Sequence, residues 1–217
     1  MINEILEILD KTRDNQFFSN PTSSQVKILE YVGSRSNEEK EWIADRHIRI
    51  RLGIYTIESG ASVEEVVEKL TWKDFEGFIA EILQENNYRC VESFRRRGKS
   101  EQRGMEIDVI GLKGNIFLVV DAKMWNIRRG KKSALQNAAL KQFERTERLC
   151  SEMGALSSKM GAIGHGMYTL IPLLVTWVVE DVEFHEGIPV VPIFKFNSFV
   201  LNFTNFIDMV RHIECRI

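Results

Sequence analysis

Met105-Glu106-Ile107-Asp108-Val109-Ile110-Gly111 is followed, four residues on, by Ile116-Phe117-Leu118-Val119-Val120-Asp121-Ala122-Lys123. Both runs are apolar and rich in β-branched residues, and a glycine-bearing turn at Lys113-Gly114-Asn115 separates them, so they read as two strands of a hairpin. Side chains alternate along a strand, which puts Glu106 and Asp108 on one face, and Asp121 and Lys123 together on a face of the next strand. The hairpin can bring those faces together, with Asp108, Asp121 and Lys123 within reach of one another. Packing does not explain two carboxylates and an amine at the ends of otherwise apolar strands. A divalent-cation site with a lysine beside it does.

The charge around these strands is uneven. The chain carries a net charge of −2, yet residues 89–132 hold twelve basic side chains against five acidic ones. Three of those five acids are Glu106, Asp108 and Asp121, so the positive field surrounds the proposed site and suits a polyanion. The rest of the chain holds 17 basic and 26 acidic residues. Arg95, Arg96, Arg97, Lys99 and Arg103 lie in a basic stretch expected to be a loop from Arg95 to Gly104. Arg128, Arg129, Lys131 and Lys132 lie in a second, after Lys123. A solvated turn is the plain reading of such runs. Their position beside the acids makes phosphate contact the alternative, because a guanidinium can grip a phosphate bidentately.

Outward from the hairpin, Tyr88 to Phe94 reads as a preceding strand. Before it, Thr71-Trp72-Lys73-Asp74 opens a helix reaching Asn86-Asn87, with Glu76 at the edge of its apolar face. After Lys123, Ser133 is expected to cap a helix running to about Met153. Its apolar face is Leu135, Ala138, Ala139, Leu149 and Met153, with Gln142 at the centre, where a buried amide needs partners. Gly154 to Gly166 reads as a flexible connector. Ile171 to Val179 reads as a buried strand, and Ile188 to Phe196 as an edge strand because of Pro189 and Pro192. Phe199 to Ile213 reads as a closing helix, with a break near Asn202 to Thr204.

Residues 1–70 read as a helical N-terminal extension. The expected helices lie at Ile2–Leu9, from Thr22 through Tyr31, and from Ser36 through Trp42 to Ile50, with a last one at Val63–Leu70 behind a Ser62/Glu65 capping box. Nine basic and thirteen acidic residues there argue for packing or dimerisation rather than for DNA reading. No apolar run approaches 18 residues, so no membrane span is expected. The acidic, amphipathic start Met1-Ile2-Asn3-Glu4 is unlike a signal peptide, and an intracellular, cytoplasmic, soluble protein is expected. Cys90, Cys150 and Cys215 are scattered without a CxxC, so neither a disulfide framework nor a structural zinc is expected. His47, His165, His185 and His212 show no metal-binding spacing and read as ordinary surface or loop histidines.

The pattern Asp108, twelve residues, then Asp121-Ala122-Lys123 resembles the signature of the PD-(D/E)xK nuclease superfamily, with Ile107 where the prolyl residue of its name would stand. Gln142 resembles the Gln that follows the acidic-x-Lys strand in the Mrr-like and archaeal Holliday-junction-resolvase-like branches, where it points toward the active site. The Trp/Phe-rich helix carrying Glu76 resembles the helix that often supplies a further acid. The resemblance covers residues 71–213. It implies an α/β fold with a restriction-endonuclease-like αβββαβ core, a mixed central sheet flanked by helices, in a domain spanning residues 71–217. It also implies hydrolysis of DNA phosphodiester bonds, with branched or structured DNA as one candidate substrate. Mg²⁺, or Mn²⁺ in its place, would be held by Asp108, Asp121, the Ala122 carbonyl and Glu76, with Glu106 as a further candidate. Lys123 would act on the attacking water. The junction-resolving branch implies a homodimer. The competing expectation is a catalytically silent nucleic-acid-binding or assembly protein that keeps the fold.

Overall fold

The computed structural model describes residues 1–98, 104–123, 131–177 and 182–217, residues 131 and 132 by their backbone alone. It divides into two compact units, Met1–Phe78 and Ile79–Ile217, eight residues beyond the boundary expected at 70/71.

The first unit is helical, with one small strand pair. Helix α1 spans Ile2–Lys11, β1 Phe17–Phe18, α2 Ser23–Tyr31, β2 Trp42–Ile43, α3 Arg46–Glu58 and α4 Val63–Lys69. Two starts carry reciprocal capping boxes, Thr22 with Gln25 and the expected Ser62 with Glu65. The helix expected from Ser36 onward is corrected. Trp42 and Ile43 pair antiparallel with Phe18 and Phe17, and α3 begins only after Asp45, whose carboxylate accepts from the Ile48 N–H at 2.9 Å. An N-cap acid at position 45 fixes that start, whatever apolar spacing precedes it. Helix α5, Trp72–Glu85, opens on Thr71, whose hydroxyl accepts from the Asp74 N–H while Asp74 accepts from the Thr71 N–H. Trp72 stays 40% exposed, whereas Phe75 is fully buried.

The second unit is built on a seven-stranded mixed sheet flanked by helices, an α/β fold. Its strands are β3 Arg89–Arg96, β4 Met105–Lys113, β5 Ile116–Lys123, β6 Met167–Thr176, β7 Glu183–His185, β8 Ile188–Pro192 and β9 Ile213–Arg216, in the order β3-β4-β5-β6-β8-β7 with β9 on β6. Gly114 takes φ +61° at the first position of the two-residue β4–β5 turn, a conformation that glycine adopts cheaply. Between β5 and β6, which run parallel, lie α6 (Lys131–Cys150) and α7 (Met153–Met160). Leu135, Ala139 and Phe143 of α6 pack on Leu174 and Val190, while Leu149 and Met153 pack on Phe117 and Val119. Burying Phe117 completely contributes roughly 1.5–3 kcal/mol.

Five expectations in this unit are corrected. Met153 opens α7 instead of closing α6, so the stretch after Gly154 begins as helix rather than as a connector. Strand β8 is interior, paired with β6 and β7, and its two prolines fall at the second and last of its five positions. The closing helix is α8 at Ile193–Leu201, followed by a 3₁₀ turn at Phe203–Met209, and Ile213 belongs to β9, which pairs with Met167–Leu170 of β6. Cys150 and Cys215 are joined, their Cα atoms 5.7 Å apart, tying the end of α6 to β9. His185, expected at the surface or in a loop, lies buried in β7 beside Glu183 at 2.9 Å. Among the described residues no helix is long and apolar enough to cross a membrane.

Candidate active site

The β4–β5 ladder runs from Lys113 and Ile116 to Val109 and Val120 and stops there. At the next step the Ala122 N–H donates to Asp108 Oδ2 at 2.7 Å, so a carboxylate stands where a backbone carbonyl would otherwise accept. A slip in the sheet accompanies this opening. Ile107 and Ile110, three residues apart, both join the core around Leu149, as do Val91 and Phe94 on β3, so strict alternation fails in both strands at one level. Ser93, at that level, adopts φ +47° and is skipped in an otherwise continuous register. A left-handed backbone costs a residue with a Cβ roughly 1–2 kcal/mol. The strained step sits opposite Asp108.

Asp121 is 2% exposed and lies on the same strand face as Lys123. Its Oδ2 is 2.6 Å from Lys123 Nζ, and its Oδ1 accepts from Arg145 Nη1 at 2.6 Å. Lys123 makes a close ion pair with this buried oxygen, for which no further hydrogen-bond partner is found among the described residues. One acid between two cations leaves the cluster net positive. A cleft of about 280 Å³ opens here, with Asp121 and Lys123 on one wall and Asn137, Lys141 and Arg145 of α6 on the other. Ala134 and Ala138 leave room between them. Asn137, Lys141 and Arg145 recur every four residues and therefore form one stripe along the helix.

Two buried carboxylates suit a hard divalent cation that keeps most of its own waters. Among the described residues no group of three or more acidic, His or Cys side chains is gathered tightly enough for an all-protein cage.

The other expected residues fall in different places. Gln142 is fully buried, and its Nε2 donates to the Val119 carbonyl at 2.8 Å, two residues before Asp121 on β5. Its Oε1 has no partner among the described residues. The amide thus anchors α6 to the strand that carries the acid. Glu76 is buried in the N-terminal unit, where the Trp72 indole donates to it. Glu106 is exposed and pairs with Arg95 at 2.6 Å, across from it on β3. Arg95 and Arg96 lie within β3 rather than in a loop, and Arg96 pairs with Glu152 at 2.6 Å. Exposed pairs of this kind are worth about 0–1 kcal/mol, so a phosphate can take either arginine at little cost. Arg97 is exposed. Lys99, Arg103, Arg128 and Arg129 lie outside the described residues, as do the side chains of Lys131 and Lys132.

Sequence reasoning missed Arg145, Lys141 and Asn137. Their four-residue spacing beside the apolar stripe of α6 was the available signal, and it looks the same as a solvated helix face.

No family model matches the sequence. A stretch of 133 residues is 29% identical to an uncharacterized protein of Archaeoglobus fulgidus, covering 61% of this chain and 92% of that one. Among solved structures, protein VC1899 from Vibrio cholerae aligns at 11% identity with a TM-score of 0.38, over 96% of this chain and 51% of that one. The protein of unknown function AF1548 aligns at 17% identity with a TM-score of 0.28, over 47% of this chain and 45% of that one. The chain thus spans about half the length of the first of these solved structures.

Proposed function

We propose that this chain is a metal-dependent nuclease that hydrolyses DNA phosphodiester bonds, a member of the PD-(D/E)xK superfamily acting in the cytoplasm. The observation that carries the reading is Asp121 paired to Lys123 at 2.6 Å in a cationic cleft, with Asp108 at the adjoining opening of the sheet. Asp108, Asp121 and the Ala122 carbonyl would hold Mg²⁺ or Mn²⁺. When bound, the ion supplies charge stabilisation on the phosphate oxygens. Lys123 stands next to the acid, and its ammonium donates at Nζ to orient the attacking water. Lys141 and Arg145 meet the substrate phosphates from α6. Asp121 is nearly excluded from solvent, which strengthens each of these charge interactions.

Cleavage of duplex, single-stranded, flapped and four-way-junction DNA in Mg²⁺, Mn²⁺ and EDTA tests this, with Asp121→Ala as control. Cutting that needs metal and vanishes in the variant is expected, and the preferred substrate identifies the branch. A homodimer is expected if four-way junctions are cut, and light scattering on the full chain checks it. One observation favours the silent DNA-binding reading: Asp121 already has a cation on each oxygen, and no third acid gathers among the described residues. Under that reading no substrate is cut, and Asp121→Ala leaves DNA affinity unchanged or higher.

A further inference from the structure

Asp121 is a buried acid with two counter-ions, and the two are not equivalent. Lys123 is two residues away on the same strand, its side chain 19% exposed, so it cannot move far from the carboxylate. Arg145 reaches in from α6, its side chain 35% exposed, and lines the cleft together with Lys141. Mg²⁺ takes oxygen ligands at about 2.0–2.1 Å, closer than the 2.6 Å at which the Lys123 and Arg145 nitrogens stand now. With both cations in place its entry is opposed by two positive charges. If Arg145 left with nothing in exchange, the nearly inaccessible carboxylate would lose much of its compensation, which is unfavourable. The guanidinium leaves cheaply only when it gains an anion and the carboxylate gains a cation in the same event.

We propose that Arg145 is the exchangeable counter-ion of Asp121, released to a nucleic-acid phosphate in the cleft as the divalent cation takes its place on the carboxylate. The inference rests on the metal-dependent reading above. A guanidinium grips phosphate bidentately, so it trades one oxyanion for another of matching geometry. Lys141, one helical turn away on the same stripe, meets the neighbouring phosphate. The cleft of about 280 Å³ holds the volume of several waters, enough for a phosphodiester group. Metal and nucleic acid then raise each other's affinity by the same factor, as linkage requires. Without nucleic acid Arg145 keeps the site closed to metal, so the protein does not hold a charged cation site idle. A plain strut between α6 and β5 would show no such coupling.

The test is Mn²⁺ binding to the full chain, read from the free-ion paramagnetic resonance signal, with and without a single-stranded phosphorothioate oligodeoxynucleotide that resists cleavage. Without the oligonucleotide, Arg145→Gln is expected to bind Mn²⁺ at least about tenfold more tightly than wild type. Adding the oligonucleotide is expected to tighten Mn²⁺ binding to wild type by a factor in the roughly 5–150-fold range of typical couplings, and to leave Arg145→Gln nearly unchanged. Arg145→Lys keeps the charge and should retain part of the coupling, which guards against a folding defect in the Gln variant. Asp121→Asn should abolish binding in every background and so assigns the signal to this carboxylate. Mn²⁺ that binds wild type and Arg145→Gln equally, yet is lost in Asp121→Asn, overturns the exchange while the metal site stands. Absence of Mn²⁺ binding in wild type and Arg145→Gln alike overturns both the exchange and the metal-dependent reading.

Discussion

Lys123 and Asp121 sit on one strand face with 2.6 Å between amine and carboxylate. The amine is therefore held beside the acid before any substrate arrives. Removing it should affect chemistry much more than binding. On the nuclease reading proposed above, Lys123→Ala is expected to lower metal-dependent cleavage by about 10²–10³-fold, as for the loss of one preorganised donor, with DNA affinity changed only a few-fold. Single-turnover rates alongside direct titration check it, and equal losses in rate and affinity would make Lys123 a phosphate anchor instead. Cys90 gives a second expectation at this scale. Burial, assisted by the Glu92 charge, pushes its thiol up from 9.0 to about 12. The folded protein thus keeps the proton over a range in which the unfolded chain releases it. Its contribution to stability is complete below about pH 9 and is lost as the pH rises toward 12. At pH 8.5 the native thiol should alkylate at least about tenfold more slowly than in urea, because only the thiolate reacts. Equal rates would contradict its burial.

Arg49 ties several helices of the N-terminal unit together. Its guanidinium is 3% exposed and donates to the Leu9 carbonyl and the Thr12 hydroxyl, both at 2.6 Å, to the Lys69 carbonyl at 2.8 Å and to Asp74 at 3.0 Å. Asp74→Ala leaves that charge buried without its anion, and such losses cost about 3–5 kcal/mol. Urea melts of the full chain should show the drop, and a change under about 1 kcal/mol would mean that water reaches Arg49. None of this was legible beforehand, since Arg49 and Asp74 are 25 residues apart and each looks like an ordinary helix-surface charge. The β4–β5 hairpin was legible because two alternating runs and a glycine turn are local signals. Helix α5 was too, through Thr71 and Asp74 at its start. Where a distant partner decides, local reading failed: β9 exists because Met167–Leu170 offers it an edge, and β2 because Phe17 and Phe18 do. The site divides the same way. Asp121 and Lys123 share a face by the two-residue rule, whereas Arg145 meets Asp121 across 24 residues and had only the stripe on α6 to mark it.

Two features act on a larger part of the chain. Cys150–Cys215 closes a 65-residue separation, holding α6, and with it Arg145 and Gln142, to the C-terminal strand. Reduction, or Cys150→Ser, should therefore lower the unfolding free energy by about 2–4 kcal/mol. Urea melts with and without reductant check this, and coincident curves would show that the crosslink contributes nothing. The second feature is the charge distribution. A chain of net charge −2 would repel DNA weakly if its charges were evenly mixed, but twelve of its 29 basic residues fall within residues 89–132. Lys141 and Arg145 of α6 extend that positive region into the cleft. Binding that runs through phosphates releases counter-ions, so the logarithm of affinity should fall linearly with the logarithm of salt concentration, with a slope of about −0.7 per phosphate on single strands and −0.9 on duplex. Lys141→Gln should remove one such contact, weakening all sequences alike and reducing the slope by about one. Asp10→Asn, which breaks an exposed pair with Lys69 in the N-terminal unit, should leave the slope unchanged. Fluorescence anisotropy at several salt concentrations separates the two variants. A slope that responds to Asp10→Asn and ignores Lys141→Gln would move the nucleic-acid surface off the sheet unit and onto the helical one, and the cationic cleft would lose its claim to the substrate.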